Sequence, residues 1–420
     1  MKKRIAVIGT GVAGLTCAHI LQRKYAVTLF ERNDYAGGHT HTVIVPDGQD
    51  AGTPVDTGFI VMNHRNYPLF TRLLEQLEVA LRDSDMSFSF WDQNSGLQYS
   101  GSGFNGIFAQ RGNLVNPRCW RMLLDIRRFF SEASAQLNDP ALEAVTLGAY
   151  LQKGRYSRAF IDDHIIPMGA AIWSTPCNRM LDFPAASFLR FFNNHGLLTV
   201  NDRPQWRTVA GGSHQYVKKL LGGFNGEVHL NTPVDAITRY PDGVSVTPHG
   251  AAPQSFDEVV IAVHADEAFR MLTDPSAPEI ELLSPWAYQN NHTVLHTDAA
   301  VMPPLRRAWA SWNFTRERGA TAESLLGLSY HMNRLQGLQT AKQLFVSLNR
   351  TAPYPPESII RELDYMHPLY TRAALASQRG LSKLSGQNGT YFCGSYFGHG
   401  FHEDAVRSAV EVAEKHDLKL

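Results

Sequence analysis

The 420-residue chain predicts an α/β fold in which a parallel sheet is interleaved with a second unit of α+β character. Three observations predict it. A short apolar run, Ile5-Ala6-Val7-Ile8, leads straight into glycines at G-x-G-x-x-G spacing. A second strand-to-helix passage rich in glycine stands near the C-terminus, over residues 391–412. Between them, residues 292–349 hold several short alternating stretches, the pattern of an antiparallel sheet.

Residues 4–8 are apolar and β-branched enough for a buried parallel strand. Gly9 permits the tight turn, Gly11 lets backbone approach a pyrophosphate, and Gly14 lets the following helix pack close to the strand. Residues 12–24 read as that helix, with Leu15, Ala18, Ile20 and Leu21 turned inward. Residues 26–30 form the next strand and end at Glu31. A carboxylate there accepts from a ribose 2′-hydroxyl and repels a 2′-phosphate, which disfavours NADP. A glycine-bearing turn of another α/β protein would account for the glycines but not for Glu31.

Composition narrows the function classes. Lys+Arg and Asp+Glu both number 39, so the formal charge is zero and no nucleic-acid partner is expected. The four cysteines, Cys17, Cys119, Cys177 and Cys393, are scattered without metal-ligand spacing. They read as free thiols in a reducing compartment, with no metal site. Basic residues before the first apolar run mimic a signal peptide, but Gly9–Gly14 interrupts it as a nucleotide motif does. With no apolar stretch of about 18–20 residues, the expectation is a soluble cytoplasmic protein. Peripheral contact with the inner membrane face stays open.

Along the chain, residues 66–80 carry Leu69, Phe70, Leu73, Leu74 and Leu77 at helical spacing, and residues 87–91 alternate like a strand. Residues 97–108, rich in glycine and serine, read as loops. Residues 116–133 start a helix with Asn116 as N-cap and Pro117 at its first position. That helix mixes Arg118, Arg121, Arg127 and Arg128 with Trp120, Met122, Leu123, Phe129 and Phe130. It suits a packed helix with a solvated arginine face, or a lipid-facing surface. Residues 147–160 and 165–173 read as helices lining a cavity, and residues 183–192 are strongly apolar and aromatic, fit for a cap-domain core or for the wall of a tunnel. Gly211-Gly212 leads into another amphipathic helix, and residues 227–230, 234–239 and 259–263 read as strands.

The motifs together resemble the flavin-containing amine oxidases and the phytoene-desaturase-like enzymes of the same superfamily. Gly37-Gly38-His39 stands where that superfamily enters its FAD site, although members usually carry arginine in place of His39. The resemblance places Thr57, Gly58, Phe59 and Ile60 beside the flavin ring and Val234 against the adenine. It brings Gly394 and Ser395 to the phosphates or ribityl chain, and Phe401, His402 and Ala405 to the isoalloxazine. The implied architecture is a Rossmann-like FAD domain of residues 1–65, 200–275 and 385–420, with residues 66–199 and 276–384 as substrate domain.

More closely, GGHTHTV, PMGAAIW, NNHGLL and GFHEDAVRSA look like an oxidoreductase branch associated with cyclopropane-fatty-acid-synthase-like methyltransferases. That implies a lipid acyl substrate, its dehydrogenation by hydride transfer to flavin N5, and a lipid methyltransferase as partner. Two alternatives stay open: an amine oxidase that releases peroxide, and a flavin-binding partner without activity of its own. Many amine oxidases hold a lysine in the substrate-domain sheet, and here only Lys342 lies near such a strand. His195 and His402 are the candidates for a base, since histidine suits proton transfer near neutrality.

Overall fold

The computed structural model describes residues 2–199, 203–321, 324, 325 and 327–420; the expected division at residue 200 and Leu326, within an expected strand, lie outside them. Five parallel strands form the nucleotide-type sheet, in the order Thr390–Phe392, Glu258–Ile261, Arg4–Ile8, Ala26–Phe30, Glu227–His229. Arg4–Ile8 takes the middle because Ile5, Ala6, Val7 and Ile8 are all buried, with neighbours on both edges and packing on both faces. The helix Val12–Leu21 leaves the turn after this strand and packs on the C-terminal helix His402–Glu414. The first, middle and last parts of the chain thus meet in one sheet. An antiparallel trio, Val234–Tyr240, Gly243–Pro248 and Gln254–Phe256, lies between its third and fourth strands in chain order.

A second sheet has seven strands, ordered Ile359–Pro368, Tyr288–His296, Phe345–Leu348, Gly327–His331, Trp312–Arg316, Phe88–Asp92, Gln98–Ser100. It is antiparallel except where Trp312–Arg316 runs parallel to Phe88–Asp92. Helices Pro117–Ala135, Leu147–Lys153, Ile166–Trp173 and Ala185–Asn194 make the cap beside it. Asn116 Oδ1 accepts from Arg118 N (3.0 Å), the N-cap that its residue type predicts.

Two expectations are corrected, and one strand is added. Residues 97–108 are not loops: they form the edge strand Gln98–Ser100 and the short helix Gly103–Ile107, because pairing with Phe88–Asp92 outweighs weak local propensity. The helix over 147–160 breaks after Lys153, where Gly154 caps it, Arg155 turns to φ 51°, and Ser157 Oγ caps the next turn through Phe160 N (3.3 Å). The ten-residue strand Ile359–Pro368 was not expected at all.

Candidate functional site

The turn after the first strand is built by exclusion. A Cβ on Gly9, whose φ is +96°, would meet Ala262 O at 2.7 Å, and one on Gly14 would meet Gly9 O at 2.0 Å. Both glycines are therefore packing requirements of the strand–helix approach. Gly11 differs: a Cβ there has no neighbour within 4 Å, and the residue faces a large cavity. Gly38 sits beside it, and Gly37 N donates to Thr10 O (3.0 Å), which brings the two glycine motifs together.

Glu31 is buried at the cavity wall. Its Oε2 accepts from Thr10 N (2.9 Å) and Thr10 Oγ1 (2.6 Å), and its Oε1 from Asn33 N (3.0 Å). These donors fix the carboxylate while each oxygen keeps acceptor capacity for a ribose hydroxyl. Thr232 N donates to Glu31 O (2.7 Å), setting Val234 on the same wall.

The segment of Gly58, Phe59 and Ile60 runs beside His39 to His41: Phe59 N donates to His39 O (2.8 Å) and Thr57 N to His41 O (2.9 Å). Gly58, Phe59 and Ile60 face the cavity, whereas Thr57 lies behind them with its hydroxyl on His41 O (3.0 Å) and Tyr365 OH (2.7 Å). Beneath them Asp56 Oδ1 accepts from Thr42 Oγ1 (2.6 Å), Ser213 N (2.8 Å) and Ser213 Oγ (2.8 Å). Gln336 Nε2 donates to Asp56 Oδ2 (3.1 Å). Burial raises this carboxyl to about 6 against those hydrogen bonds. Asp56 is a strut that ties the early flavin-type motif to Gly211-Gly212-Ser213 and to the second sheet.

From the C-terminal motif, Gly394, Ser395, Phe401, His402 and Ala405 all line the cavity. Asp404 accepts from His399 N (2.9 Å) and Phe401 N (3.1 Å), which caps the helix at its mouth. His402 is stacked on Phe59 (3.6 Å between centroids), with Nε2 3.0 Å from Thr40 Oγ1 and 3.1 Å from Tyr216 OH. Burial lowers its pKa to about 3. His195 caps the helix Ala185–Asn194; Nδ1 donates to Phe191 O (2.9 Å) and the ring stacks on Phe191 (3.8 Å). That tautomer leaves Nε2 an acceptor, and burial holds the pKa near 4.

Sequence reading did not single out His264 and His367, which the fold sets around His39 with ring centroids 6.1 and 5.4 Å away. All three face the cavity; burial first, then repulsion from Arg32, lowers His39 to about 4, while burial and then repulsion from neighbouring histidines lower His264 and His367 to about 3. Tyr365, Tyr288 and Tyr370 were missed too. No local motif signals any of them, since their partners are distant in sequence. Among the described residues no group of histidine, cysteine and carboxylate side chains could hold a metal ion.

The cavity encloses about 1280 Å³, more than the roughly 300–1,000 Å³ of ordinary ligand pockets. One part is the glycine-lined cradle; the rest is walled by the cap and second sheet, including Ile126, Phe130, Met168, Trp173, Phe191 and Trp312. No lysine among the described residues lines it, and Lys342 is exposed outside it. Its acids are engaged: Glu31 as above, Asp85 with Arg334 (3.1 Å), Asp235 with His249 (2.9 Å), Glu267 with Arg32, and Asp364 with Asn290 (2.9 Å). His39 Nε2, Trp173 Nε1, Trp312 Nε1, Tyr370 OH and Tyr396 OH are buried at the wall without a protein partner. An open cradle over Gly11, a held ribose-type carboxylate and unpartnered donors fit a dinucleotide with a second occupant.

The sequence matches the family described as flavin containing amine oxidoreductase over residues 12–415. The 1-hydroxycarotenoid 3,4-desaturase of Flavobacterium sp. (strain P99-3) is 34% identical over 102 residues, which is 24% of this chain and 18% of that one. Cyclohexylamine oxidase from Brevibacterium oxydans IH-35A superposes with a TM-score of 0.70 at 15% identity, covering 99% of this chain and 100% of that chain. A CLA-producing fatty acid isomerase from P. acnes superposes with a TM-score of 0.67 at 14% identity, covering 98% of each. At these identities the superpositions speak for the fold alone.

Proposed function

The chain belongs to the flavin-containing amine oxidoreductases and its cofactor is FAD; from that premise we propose that it dehydrogenates a fatty acyl chain, unsaturated or methyl-branched and carried on a phospholipid. The observation that carries this reading is the wall of the substrate side of the cavity: aromatic and aliphatic, without a lysine among the described residues and with its acids engaged. An amine substrate arrives as a cation and calls for an acceptor. An acyl chain calls only for apolar surface and the exclusion of water.

Residues 1–65, 200–275 and 385–420 hold the cofactor in this reading, and residues 66–199 and 276–384 hold the substrate. Gly11 and Gly38 admit the pyrophosphate, Glu31 takes the ribose and Val234 borders the adenine. FAD, when bound, supplies the acceptor for a hydride. Phe191, Phe401 and the other aromatic walls orient the chain and keep water away. His195, with Nε2 unprotonated between Phe401 and Trp206, receives the proton lost from the neighbouring carbon. His402, held by Thr40 and Tyr216, positions Phe59 rather than exchanging protons. The 1-hydroxycarotenoid 3,4-desaturase supports the reading as a relative whose name specifies a desaturation. Unpaired cysteines accord with a reducing cytoplasm, and a lipid methyltransferase acting on the same chains is the partner class.

The test is anaerobic bleaching of the flavin band in purified protein. Detergent-dispersed phospholipids with unsaturated or methyl-branched chains are expected to bleach it and to gain a double bond. Bleaching by amines alone, with peroxide formed in air, would overturn the acyl reading. No bleaching by either would leave a flavin-binding partner protein.

A further inference from the structure

The described chain exposes eleven large hydrophobic side chains, and five of them fall between residues 104 and 124: Phe104 (62%), Leu114 (38%), Val115 (84%), Trp120 (45%) and Leu124 (60%). They form one platform. Phe108 joins Phe104 (4.8 Å between centroids) to Trp120 (5.4 Å), and Trp120 Nε1 donates to Leu114 O (2.8 Å). Five exposed apolar groups gathered in so short a stretch mark a contact surface rather than scattered surface chance.

Charge singles out its partner. Residues 98–124 contain Arg111, Arg118 and Arg121 and no acid, although Arg118 pairs with Asp163 (2.6 Å) and Arg121 with Asp125 (3.4 Å). The turn Arg306–Ala308 packs alongside, with Arg307 Nε on Ala109 O (2.5 Å), and adds two further exposed arginines. Arg127 is exposed one turn beyond Leu124 and two turns beyond Trp120. Aromatic and aliphatic tips ringed by guanidinium groups match a layer whose surface is anionic and whose interior is hydrocarbon. The elements that carry the platform also wall the cavity, through Gly103 and Ile107 on one side and Leu123, Ile126 and Phe130 on the other.

We propose that this platform docks on an anionic lipid bilayer, and that the acyl chain passes into the cavity between the helices Gly103–Ile107 and Pro117–Ala135. The purpose of the surface rests on the acyl reading; its existence does not. No helix of the described residues is long and apolar enough to cross a membrane, so the contact is peripheral.

Flotation of the FAD-loaded protein with vesicles of phosphatidylcholine, with and without phosphatidylglycerol, tests it. Wild type is expected to float with the anionic vesicles and to release at high salt. Val115→Asp with Leu124→Asp places charge at two exposed positions and is expected to weaken flotation at least tenfold with flavin absorbance and Tm unchanged. Arg127→Glu with Arg306→Glu is expected to abolish the preference for anionic vesicles. No flotation of wild type, or equal flotation of both variants, overturns the proposal. So does a dimer in gel filtration that the Val115→Asp, Leu124→Asp protein breaks, since a second copy would then cover the platform. Flotation is read without turnover and flavin bleaching is read in detergent, so either reading can fail while the other stands.

Discussion

Gly11 and Gly14 lie three residues apart in one motif, and the structure assigns them opposite consequences. A methyl on Gly14 would stand 2.0 Å from Gly9 O and 3.2 Å from Ala262 Cβ, so the first helix has to move off the strand. Overpacking of this kind costs about 1–3 kcal/mol, and Gly14→Ala is expected to melt lower even without flavin. A methyl on Gly11 meets nothing, and φ −60°, ψ 174° is open to any residue, so the flavin-free Gly11→Ala protein is expected to melt as wild type does. Its methyl, however, occupies the approach to the pyrophosphate. Loss of one hydrogen bond to a charged group is worth about 1.5 kcal/mol, or roughly tenfold in affinity. At a free FAD concentration 100 times the wild-type Kd, FAD stabilises wild type by about 2.7 kcal/mol and the variant by about 1.4 kcal/mol. The assay is thermal melting of flavin-stripped protein with and without that FAD, where the variant's shift is expected to be about half. A full shift for Gly11→Ala would refute the placement of the phosphates, and an unchanged melt for Gly14→Ala would refute the close helix–strand approach.

Glu31→Gln keeps the shape of the ribose carboxylate but loses its charge; fluorescence titration is expected to show FAD held at least tenfold more weakly, with no gain of NADP binding. Arg239 and Glu279 form a buried, two-pronged pair (2.6 and 3.0 Å), and Glu279 also caps its own helix through Ser276 N (2.8 Å). Glu279→Ala leaves the guanidinium with Asp274 alone (3.1 Å) and is expected to cost about 1–3 kcal/mol in chemical denaturation. Phe188→Ala, in the core, is expected to cost about 3–5 kcal/mol as well. Phe191→Ala, on the cavity wall, is expected to cost less stability but to slow substrate-dependent bleaching by freeing His195. His39, His264 and His367 fold with values near 4 and near 3, below the ordinary histidine value of about 6.5. The unfolded chain therefore takes up protons that the folded chain refuses, and flavin-free protein is expected to lose stability as pH falls from about 6.5 toward 4. Replacing all three by asparagine is expected to make that part of a Tm–pH profile shallower, His195 and His402 keeping their own share; an unchanged slope would place its origin elsewhere.

The cofactor side of this fold is legible because its geometry is written in residue identity. Gly9 adopts φ +96° with backbone too close for a Cβ, and Gly58 lies where a Cβ would meet His39 O at 2.1 Å, so few other residues serve there. Such constraints are local, and short motifs report them. The strand Ile359–Pro368 obeys no comparable rule. It is a sheet edge that pairs only with Tyr288–His296, its residues Arg361, Glu362 and Asp364 are exposed, and its composition reads as a solvated connection. Yet it carries Tyr365 and His367 into the site. Gln98–Ser100 was missed for a related reason: a partner strand, not its own glycine- and serine-rich neighbourhood, makes it a strand.

The substrate side resists reading because a cavity wall and a core ask for the same side chains. Phe188, Phe191 and Phe192 come from one helix; Phe188 and Phe192 stack on each other at 4.1 Å inside the core, while Phe191 lines the cavity beside His195. Nothing in their spacing separates the two fates, which depend on what the second sheet and the cap leave uncovered. The same holds for polarity. His39, His264 and His367 lie far apart in the chain, each unremarkable alone, and become one neutral cluster only where three elements converge on the cavity. Backbone constraints therefore disclose the cofactor from single stretches, whereas the character of the substrate side emerges only on surfaces that folding brings together. The wall without a lysine among the described residues, with its acids already engaged, is such a surface, and the proposal of an acyl chain rather than an amine rests on it.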